Sequence, residues 1–287
     1  MNENTKYYGQ SFPTDIPQEF APRIISTDQH EHSIPTISVD GKECFWSMIT
    51  LPLGETPQKI YFSSFIDGKW TSPHLASFSS SYVDGGPVFS FDNQHLYFYS
   101  RRPLDISSNV EQLRIWGVDR KENGWGEPHL AFGEEHADQL QSSFSCTKTG
   151  SFYYSGILEG VKNNMGIYRI RQKNGVFGSP ELLPSQINSS HHDWIPYIAP
   201  DESYLIFSSD RPGSIGFFDL YISFHIENDH WSEPLTLGPK INTEGSERFS
   251  GLSPDGKAFF FVRDSEIYWV DSCFIEKLKK TVMSKSS

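Results

Sequence analysis

The sequence repeats one unit five times, and this repeat limits the fold more than any other feature of the chain. Each copy has a strand-like run, a tight polar turn and a second strand-like run, with an aromatic residue six positions after the turn. The turns follow one another at steps of 52, 56, 53 and 54 residues, at Asp40, Asp92, Lys148, Asp201 and Asp255. The aromatic residues are Trp46, Phe98, Tyr154, Phe207 and Phe261. This spacing predicts a chain built from one supersecondary unit.

A third and a fourth strand complete the unit. The third is marked by Ile or Leu followed by an aromatic residue, as at Ile60 and Tyr61. The fourth carries the signature aromatic-x-x-Pro, and proline suits an outer strand, where no ladder hydrogen bond is lost. The fifth copy stops after its third strand, and the missing strand is found near the N-terminus, around Phe20 and Pro22.

Four-stranded units of about 50 residues that surround an axis make a β-propeller. The sequence therefore predicts an all-β fold: a single five-bladed β-propeller of four-stranded antiparallel blades, with the ring closed by the N-terminal strand completing the last blade. We expect one domain over residues 1–287, with blades at about 28–78, 79–133, 134–185 and 186–239. The fifth blade is expected to combine 240–278 with 18–27.

The repeats resemble the TolB-like (WD40-like) β-propeller repeat family, whose Ser-Pro-Asp-Gly-Lys core is present at Ser253–Lys257. The segment YLIFSSDRPGSIGFFDLY, residues 204–221, is similar to the strand–loop–strand pattern of that family. The opening YYGQSFPTDIPQEFAPRIIST and the ending EIYWVDSCFIEKL resemble a bacterial group of stand-alone TolB-like proteins over nearly the whole chain. The resemblance implies the propeller fold but leaves the function open, because TolB-like propellers include binding modules, periplasmic proteins, lyases and peptidase-associated domains.

Charge and hydropathy exclude some classes of partner. The net charge of −12 argues against nucleic acid, because phosphate binding requires clustered Lys and Arg. No apolar run approaches the roughly 18 residues of a membrane-spanning helix, so membrane insertion is not expected. The N-terminus does not read as a signal peptide, which predicts a cytoplasmic protein, or a periplasmic or secreted one if a leader was removed. Cys44, Cys146 and Cys273 are expected to be buried free thiols.

The segments leading into the first strands of the five units are rich in ionisable residues. In an antiparallel meander these segments all reach the same mouth of the central channel. Aligned on Pro35, one position holds His32, Asp84, Leu140, Asp193 and Glu247, and the position two residues earlier holds His30, Tyr82, Asp138, His191 and Gly245. Glu31 and His192 lie between these positions, and Trp194 and Arg248 directly follow them. We expect these side chains to surround one opening.

Several interpretations of this ring remain open. The plainest is structural, with polar groups that solvate the channel and tie the blades together. The cofactor is unknown, but a divalent metal (Ca, Mn or Zn) is a candidate, with His32, Asp84, Asp193 and Glu247 as its ligands. Catalysis would use a carboxylate pair, or a histidine base opposite an arginine that stabilises developing negative charge. The candidates for catalysis are His32, Asp84, His191, Asp193, Glu247 and Arg248.

The longer loops on this face of the disc favour ligand binding, whereas the short turns on the opposite face suggest scaffold. The predicted ligand-binding residues are His30, Glu31, Tyr82, Asp138, His192, Trp194, Arg101 and Arg102. Arg211 is instead expected to tie its own loop through Asp210 or Asp219. The first hypothesis is a binding propeller for a small or oligomeric ligand, glycan- or peptide-like. The alternatives are a metal-assisted hydrolase or lyase that uses the same ring, and a protein-interaction scaffold. The sequence decides neither enzymatic activity nor the oligomeric state.

Overall fold

The computed structural model describes residues 7–105, 112–158, 164–227 and 229–284. Their strands form antiparallel sheets in a ring, which confirms the predicted five-bladed β-propeller. Strand β1 (Gln18–Glu19) belongs to the last blade, and the first blade begins with β2 (His30–Glu31). The first blade continues with β3 (Thr36–Ile37), β4 (Glu43–Ile49), β5 (Lys59–Ile66), β6 (Lys69–Trp70) and β7 (His74–Leu75).

The next two blades have the same order of strands. The second contains β8 (Asp84–Phe89), β9 (His95–Ser100), β10 (Arg114–Lys121), β11 (Gly124–Trp125) and β12 (His129–Leu130). A 3-10 turn, Glu134–His136, leads into the third. The third contains β13 (Ser142–Cys146), β14 (Phe152–Ile157), β15 (Met165–Ile170), β16 (Gln172–Lys173), β17 (Val176–Phe177) and β18 (Glu181–Leu182).

The last two blades complete the ring. The fourth contains β19 (Asp193–Ile198), β20 (Tyr204–Ser209), β21 (Asp219–Glu227), β22 (His230–Trp231) and β23 (Leu235–Thr236). The fifth contains β24 (Glu247–Leu252), β25 (Ala258–Arg263) and β26 (Glu266–Asp271), and helix α1 (Phe274–Met283) follows it.

The outer strand of each of the first four blades is divided in two by the proline of the aromatic-x-x-Pro signature. In the first blade Pro73 separates β6 from β7, and both pieces pair with β5. Proline cannot donate to the ladder, so the pairing stops at that residue and resumes after it. The signature therefore marks an interrupted edge strand.

The N-terminal strand closes the ring as the sequence predicted. Gln18 and Glu19 pair with Trp269 and Tyr268 of β26, and the Phe20 N–H donates to the carbonyl of Ile267 at 2.8 Å. Phe20 is fully buried against Phe260 and Trp269. Burial of such a side chain contributes roughly 1.5–3 kcal/mol, so this short strand is anchored mainly by packing.

Five apolar clusters hold the blades together. Four of them combine residues of two neighbouring blades, and the fifth joins the first and last blades and also includes Ile195 of the fourth. Between the first two blades, for example, Phe45 packs with Phe89 and Phe98 in one buried cluster. Backbone hydrogen bonds add to this packing. The N–H groups of Asp84 and Glu247, at the starts of β8 and β24, donate to carbonyls of the preceding blades at 3.0 and 2.8 Å.

The first strands of the blades surround the channel and share a local irregularity. Near the start of β8, β13, β19 and β24 the pairing register shifts by a β-bulge. One residue of each bulge has positive φ: Gly86 (57°), Ser143 (25°), Ile195 (52°) and Phe249 (46°). A bulge bends the strand and changes the direction of the neighbouring side chains, and bulges are common at functional sites. The mouth is therefore formed by backbone that departs from regular pairing.

One expectation made from the sequence, the burial of all three cysteines, is corrected by the structure. Cys44 and Cys146 are buried free thiols, but Cys273 is exposed, because it lies at the N-terminus of α1 on the outside of the last blade. Helix α1 itself was not predicted; it packs through Ile275 on the cluster between the fourth and fifth blades. In the described part of the chain, no helix is both long and apolar enough to cross a membrane.

Candidate ligand site at the channel mouth

Three carboxylates of the predicted ring, Asp84, Asp193 and Glu247, are 0% exposed. Each is paired with an arginine of its own blade. The pairs are Arg102 Nη2 to Asp84 Oδ1 at 3.0 Å, Arg211 Nη2 to Asp193 Oδ1 at 2.6 Å and Arg263 Nε to Glu247 Oε1 at 3.0 Å. A buried charge is stable only when it is paired and hydrogen-bonded, and these pairs meet that requirement within the protein.

The same carboxylates also hold the loop that precedes them. Each accepts hydrogen bonds from the backbone N–H and the hydroxyl of a serine or threonine four residues earlier. These partners are Ser80 for Asp84, Ser189 for Asp193 and Thr243 for Glu247. The paired arginines lie over aromatic rings, as Arg211 does over Phe207 at 4.9 Å. These contacts match the structural interpretation, in which the acids tie loops to blades.

Glu31 takes the corresponding position in the first blade, which shifts the predicted alignment by one residue. It accepts from the N–H of Thr27 at 3.2 Å and from the Thr27 hydroxyl at 2.7 Å, four residues earlier. The sequence alignment instead placed His32 in this position. Glu31 is 0% exposed, its Oε2 has no hydrogen-bond partner among the described residues, and no arginine pairs with it. Burial raises the pKa of Glu31 to about 7.

The residue after each acid faces the other way, because successive side chains of a strand alternate between its two sides. These residues are His32, Gly85, Trp194 and Arg248, and Ser142 in the third blade. A Cβ at Gly85 would overlap Gln58 and the hydroxyl of Tyr99, so these two side chains fill the space that a side chain at position 85 would take. We call His32, Gln58, Tyr99, Trp194 and Arg248 the mouth cluster.

His32 is a neutral imidazole at the centre of the mouth cluster. Burial, with His30 and Arg248 nearby, lowers its pKa to about 4. Its ring contacts Phe249, with centroids 5.1 Å apart, and stacks on His30 at 5.6 Å. Its Nδ1 lies 3.4 Å from the hydroxyl of Tyr99, which accepts a hydrogen bond from Gln58 at 2.9 Å. Tyr99 can therefore donate its own proton to Nδ1, which leaves Nε2 protonated.

Arg248 is a cation without a counter-ion bonded to it. It is partly buried, and among the described residues its guanidinium has no hydrogen bond or ion pair. Burial lowers its pKa, and Asp264 is the acid nearby that acts against this effect. One oxygen of Asp264 accepts the backbone N–H of Ser246 at 2.9 Å. Arg248 differs in this respect from Arg102, Arg211 and Arg263, which are all paired.

An aromatic wall borders the mouth on the side of the fourth blade. Trp194 packs against Phe218, with ring centroids 5.1 Å apart, and His192 lies edge-on to Phe218 at 6.4 Å. Phe217, next to Phe218, is 74% exposed. The wall is fixed in place because the N–H of Phe217 donates to the carbonyl of Gly245 at the start of the fifth blade. Aromatic faces of this kind can stack on a sugar or another flat group.

The remaining predicted residues lie outside the mouth cluster. Asp138 and Arg101 are exposed, and His191 is half-exposed with its Nδ1 3.8 Å from Asp210. Tyr82 is partly buried, and its carbonyl accepts from Lys59 at 3.3 Å. Arg102 has the structural role that the sequence suggested for Arg211, and Arg211 pairs with Asp193 rather than with Asp210 or Asp219.

The metal ligand set is not brought together as a group. His32 lies at the mouth, whereas Asp84, Asp193 and Glu247 are each bound to an arginine. In residues 7–105, 112–158, 164–227 and 229–284, no three His, Cys, Asp or Glu side chains are arranged to hold a metal ion. The predicted metal site stays a prediction to which the geometry adds no support.

Sequence reasoning missed Gln58, Tyr99 and Phe218. Tyr99 enters the mouth from β9 of the second blade and Gln58 from the loop before β5 of the first blade, so neither comes from the aligned segments. The only sequence signal was the pair Gly85 and Gly86, since glycine in a strand marks a close approach of other atoms. Both glycines lie directly against the ring or hydroxyl of Tyr99.

Comparison with known proteins supports the fold. No protein-family model and no curated protein matches the sequence. An endo-arabinase from Bacteroides thetaiotaomicron has a TM-score of 0.56 at 14% identity, covering 91% of this chain and 97% of that one. A gluconolactonase from Xanthomonas campestris has a TM-score of 0.52 at 12% identity, with the same coverage of 91% and 97%. An α-L-arabinofuranosidase from Lactobacillus brevis has a TM-score of 0.50 at 12% identity, covering 83% and 85%. At these identities the likeness is one of fold, and the chain is a β-propeller similar in architecture to these three proteins.

Proposed function

We propose that this β-propeller binds a small acidic ligand, glycan- or peptide-like, at the mouth of its channel, with Arg248 as the anchor. The observation that carries the proposal is the unpaired guanidinium of Arg248. The chain has a net charge of −12, and the arginines beside the buried acids of the second, fourth and fifth blades, Arg102, Arg211 and Arg263, are all paired, whereas Arg248 is partly buried without an acid partner among the described residues. A carboxylate can accept two parallel hydrogen bonds from the guanidinium and would restore the missing charge partner.

The neighbours of Arg248 suit the rest of such a ligand. His32 is neutral at pH 7, so it does not compete with Arg248 for the negative charge, and its Nε2–H can donate to a ligand oxygen. Trp194, which is partly buried and packs on the buried ring of Phe218, provides an apolar face beside these polar groups. An aromatic side chain beside a few polar groups is an arrangement typical of small-molecule sites. Two of the similar propellers are an arabinofuranosidase and an endo-arabinase, and for this reason a sugar acid is the first ligand that we propose.

Calorimetry with matched pairs of ligands tests this proposal. Galacturonate is compared with galactose, and a tripeptide with its C-terminal amide, so that each pair differs only in the carboxylate. A charge-assisted pair contributes about 1.5–3 kcal/mol, so we expect the acid to bind roughly 10–100-fold more tightly than its neutral partner. Arg248→Ala should remove this difference. Lys148→Ala, which removes an exposed charge at a turn on the opposite face, is the control and should leave it unchanged. Equal affinity for acid and neutral ligands would overturn the proposal.

A second candidate is catalysis by the same residues, and the proximity of neutral His32 to Arg248 favours it. In its other tautomer, with Nδ1–H donating to the hydroxyl of Tyr99, His32 would have Nε2 free as a base that removes a proton beside a carboxylate. Arg248 would stabilise the negative charge that develops. His32→Gln should then abolish turnover of a bound acid while its affinity changes little. Turnover by this variant at the wild-type rate would exclude the role.

The family also remains a proposal. We place the chain with the TolB-like propellers as a divergent member, on the Ser253–Lys257 core and the strand–loop–strand segment at 204–221. The ring of blades supports this assignment, since it is the fold that the resemblance implied. A solved structure of a stand-alone TolB-like protein with the same paired acid and arginine in its blades would strengthen it.

A further inference from the structure

The central channel contains a cavity of about 210 Å³ that is lined by the first strands of all five blades. Its walls are formed by Ile34, Pro87, Phe144, Pro196 and Leu252, among others. All of its lining residues belong to the described chain, and none of them is charged. In a protein with 60 Lys, Arg, Asp and Glu residues (24 basic and 36 acidic), an uncharged lining is a distinctive feature.

The cavity opens on the face opposite the mouth cluster. At that end it is bordered by residues of the short turns between first and second strands, Val39, Phe91, Pro200 and Pro254. Val39 is 59% exposed and Phe91 39% exposed, so apolar side chains surround the entrance. At the other end Phe249 lines the cavity and contacts His32 of the mouth cluster. The two ends of the channel therefore differ in chemistry, one cationic and polar, the other apolar.

We propose that this cavity is a second binding site, for a neutral and mostly apolar molecule of about the size of one substituted aromatic ring. A dry apolar cavity of about 150 Å³ is large enough for benzene, so a cavity of about 210 Å³ accommodates a ring with a small substituent. Most of the wall is apolar, so displacement of water from it by apolar surface is favourable. The lining also carries hydroxyl groups, among them Ser250, whose Oγ is buried without a hydrogen-bond partner in the described chain and can bond to a neutral polar substituent. A charged ligand would lose its hydration without gaining a counter-ion, so the site should reject it.

The cavity is also too small for a protein partner. A helix has a diameter of about 10–12 Å with its side chains, and one turn of it would exceed the available volume. The site is therefore assigned to a small molecule, independently of the acidic ligand proposed at the mouth.

Ligand-observed NMR with toluene, 4-methylphenol and benzoate tests this assignment. We expect the two neutral compounds to bind and benzoate to bind at least about ten-fold more weakly. Val39→Asp places a charge at the entrance, and because Val39 is exposed the fold should be retained. This variant should weaken toluene binding by about five-fold or more. Ile66→Asp, at a 57% exposed position at the end of β5, away from the cavity lining, is the matched control and should bind as the wild type does.

A second variant fills the cavity. Val88→Phe adds a ring to the wall and should abolish binding of both neutral compounds. Three results would overturn the proposal: no binding of toluene at millimolar concentration, equal binding of benzoate, or unchanged binding in the Val39→Asp protein. If Val88→Phe does not fold, the comparison of Val39→Asp with Ile66→Asp decides alone. Galacturonate serves as a competitor, and it should not displace toluene if the two sites are separate.

Discussion

Glu31 lacks the arginine that its counterparts in three other blades possess, so its replacement by glutamine should stabilise the protein at neutral and alkaline pH. Its Oε2 is buried without a hydrogen-bond partner among the described residues, and Glu266 is the nearby acid that adds repulsion. Burial, the largest cause, raises the pKa of Glu31 from 4.5 to about 7. The amide introduced by Glu31→Gln would keep an oxygen that accepts from Thr27 and would remove the charge.

The sign and size of the effect follow from proton linkage. At low pH the side chain is protonated in both the folded and the unfolded protein and costs nothing. Between pH 4.5 and about 7 the unfolded chain releases a proton that the folded protein retains, and stability falls by about 1.4 kcal/mol per pH unit. Above pH 7 the full cost is reached, at most about 3 kcal/mol, since relaxation of the protein and water around the charge reduces it. Glu31→Gln should remove this cost.

Thermal unfolding of both proteins from pH 5 to pH 8.5 measures the effect. For a chain of this size about 1 kcal/mol changes Tm by roughly 2–4 °C. We expect the Tm values of Glu31→Gln and the wild type to agree near pH 5, and the variant to melt several degrees higher at pH 8. Asp84→Asn is the matched control, because it leaves Arg102 buried without its partner and should lower stability by about 3–5 kcal/mol at pH 7. The reasoning is refuted if Glu31→Gln is destabilised at pH 8 as Asp84→Asn is, because Glu31 would then be an ionised group with a partner.

Two further predictions concern ring closure and metal binding. Removal of residues 1–27 should lower the Tm of the whole propeller by more than about 5 °C, because it exposes the surface that Phe20 covers on Phe260 and Trp269. An unchanged melting curve would contradict the role of β1 in closing the ring. Addition of Ca, Mn or Zn should leave the Tm unchanged, because Asp84, Asp193 and Glu247 are already bound to arginines. An increase in Tm with one of these ions, lost in His32→Ala or Asp193→Ala, would support the metal site predicted from the sequence.

The sequence was sufficient to predict the blades, because each blade is a local unit whose turns and aromatic residues recur at a fixed spacing. It also predicted closure by the N-terminal segment, since the fifth copy lacked one strand. The pairing of Gln18 and Glu19 with β26 confirms this, although the sequence centred the strand two residues later, on Phe20 and Pro22. The helix after the last blade had no counterpart in the repeats and was missed.

The candidate site was predicted less well, for two physical reasons. First, successive side chains of a strand point to opposite sides, so an alignment shifted by one residue assigns a side chain to the wrong side. The sequence alignment placed His32, which faces the mouth, at the position of Glu31, which holds the preceding loop. Second, the arginines that pair with Asp84 and Asp193 follow the second strand of the same blade, 18 residues after the acid. The repeat pattern of the sequence does not show which arginine pairs with which acid. Arg248 was identified as a candidate, but only the structure shows that it is unpaired.

The sequence does not predict the cavity at the opposite end of the channel, because the turns on that face are short and short turns indicate scaffold. In the ring, however, the five first strands bring their apolar residues together around one axis, and Val39 and Phe91 then border an opening. A property that arises from the assembly of all the blades cannot be read from any one copy of the repeat.

A crystal structure of the protein with galacturonate tests the central claim most directly, because it shows where the carboxylate lies. The proposal predicts that the carboxylate is within hydrogen-bond distance of the Arg248 guanidinium, with the sugar ring beside Trp194 and an oxygen near His32. A bound sugar acid whose carboxylate lies away from Arg248 would contradict it.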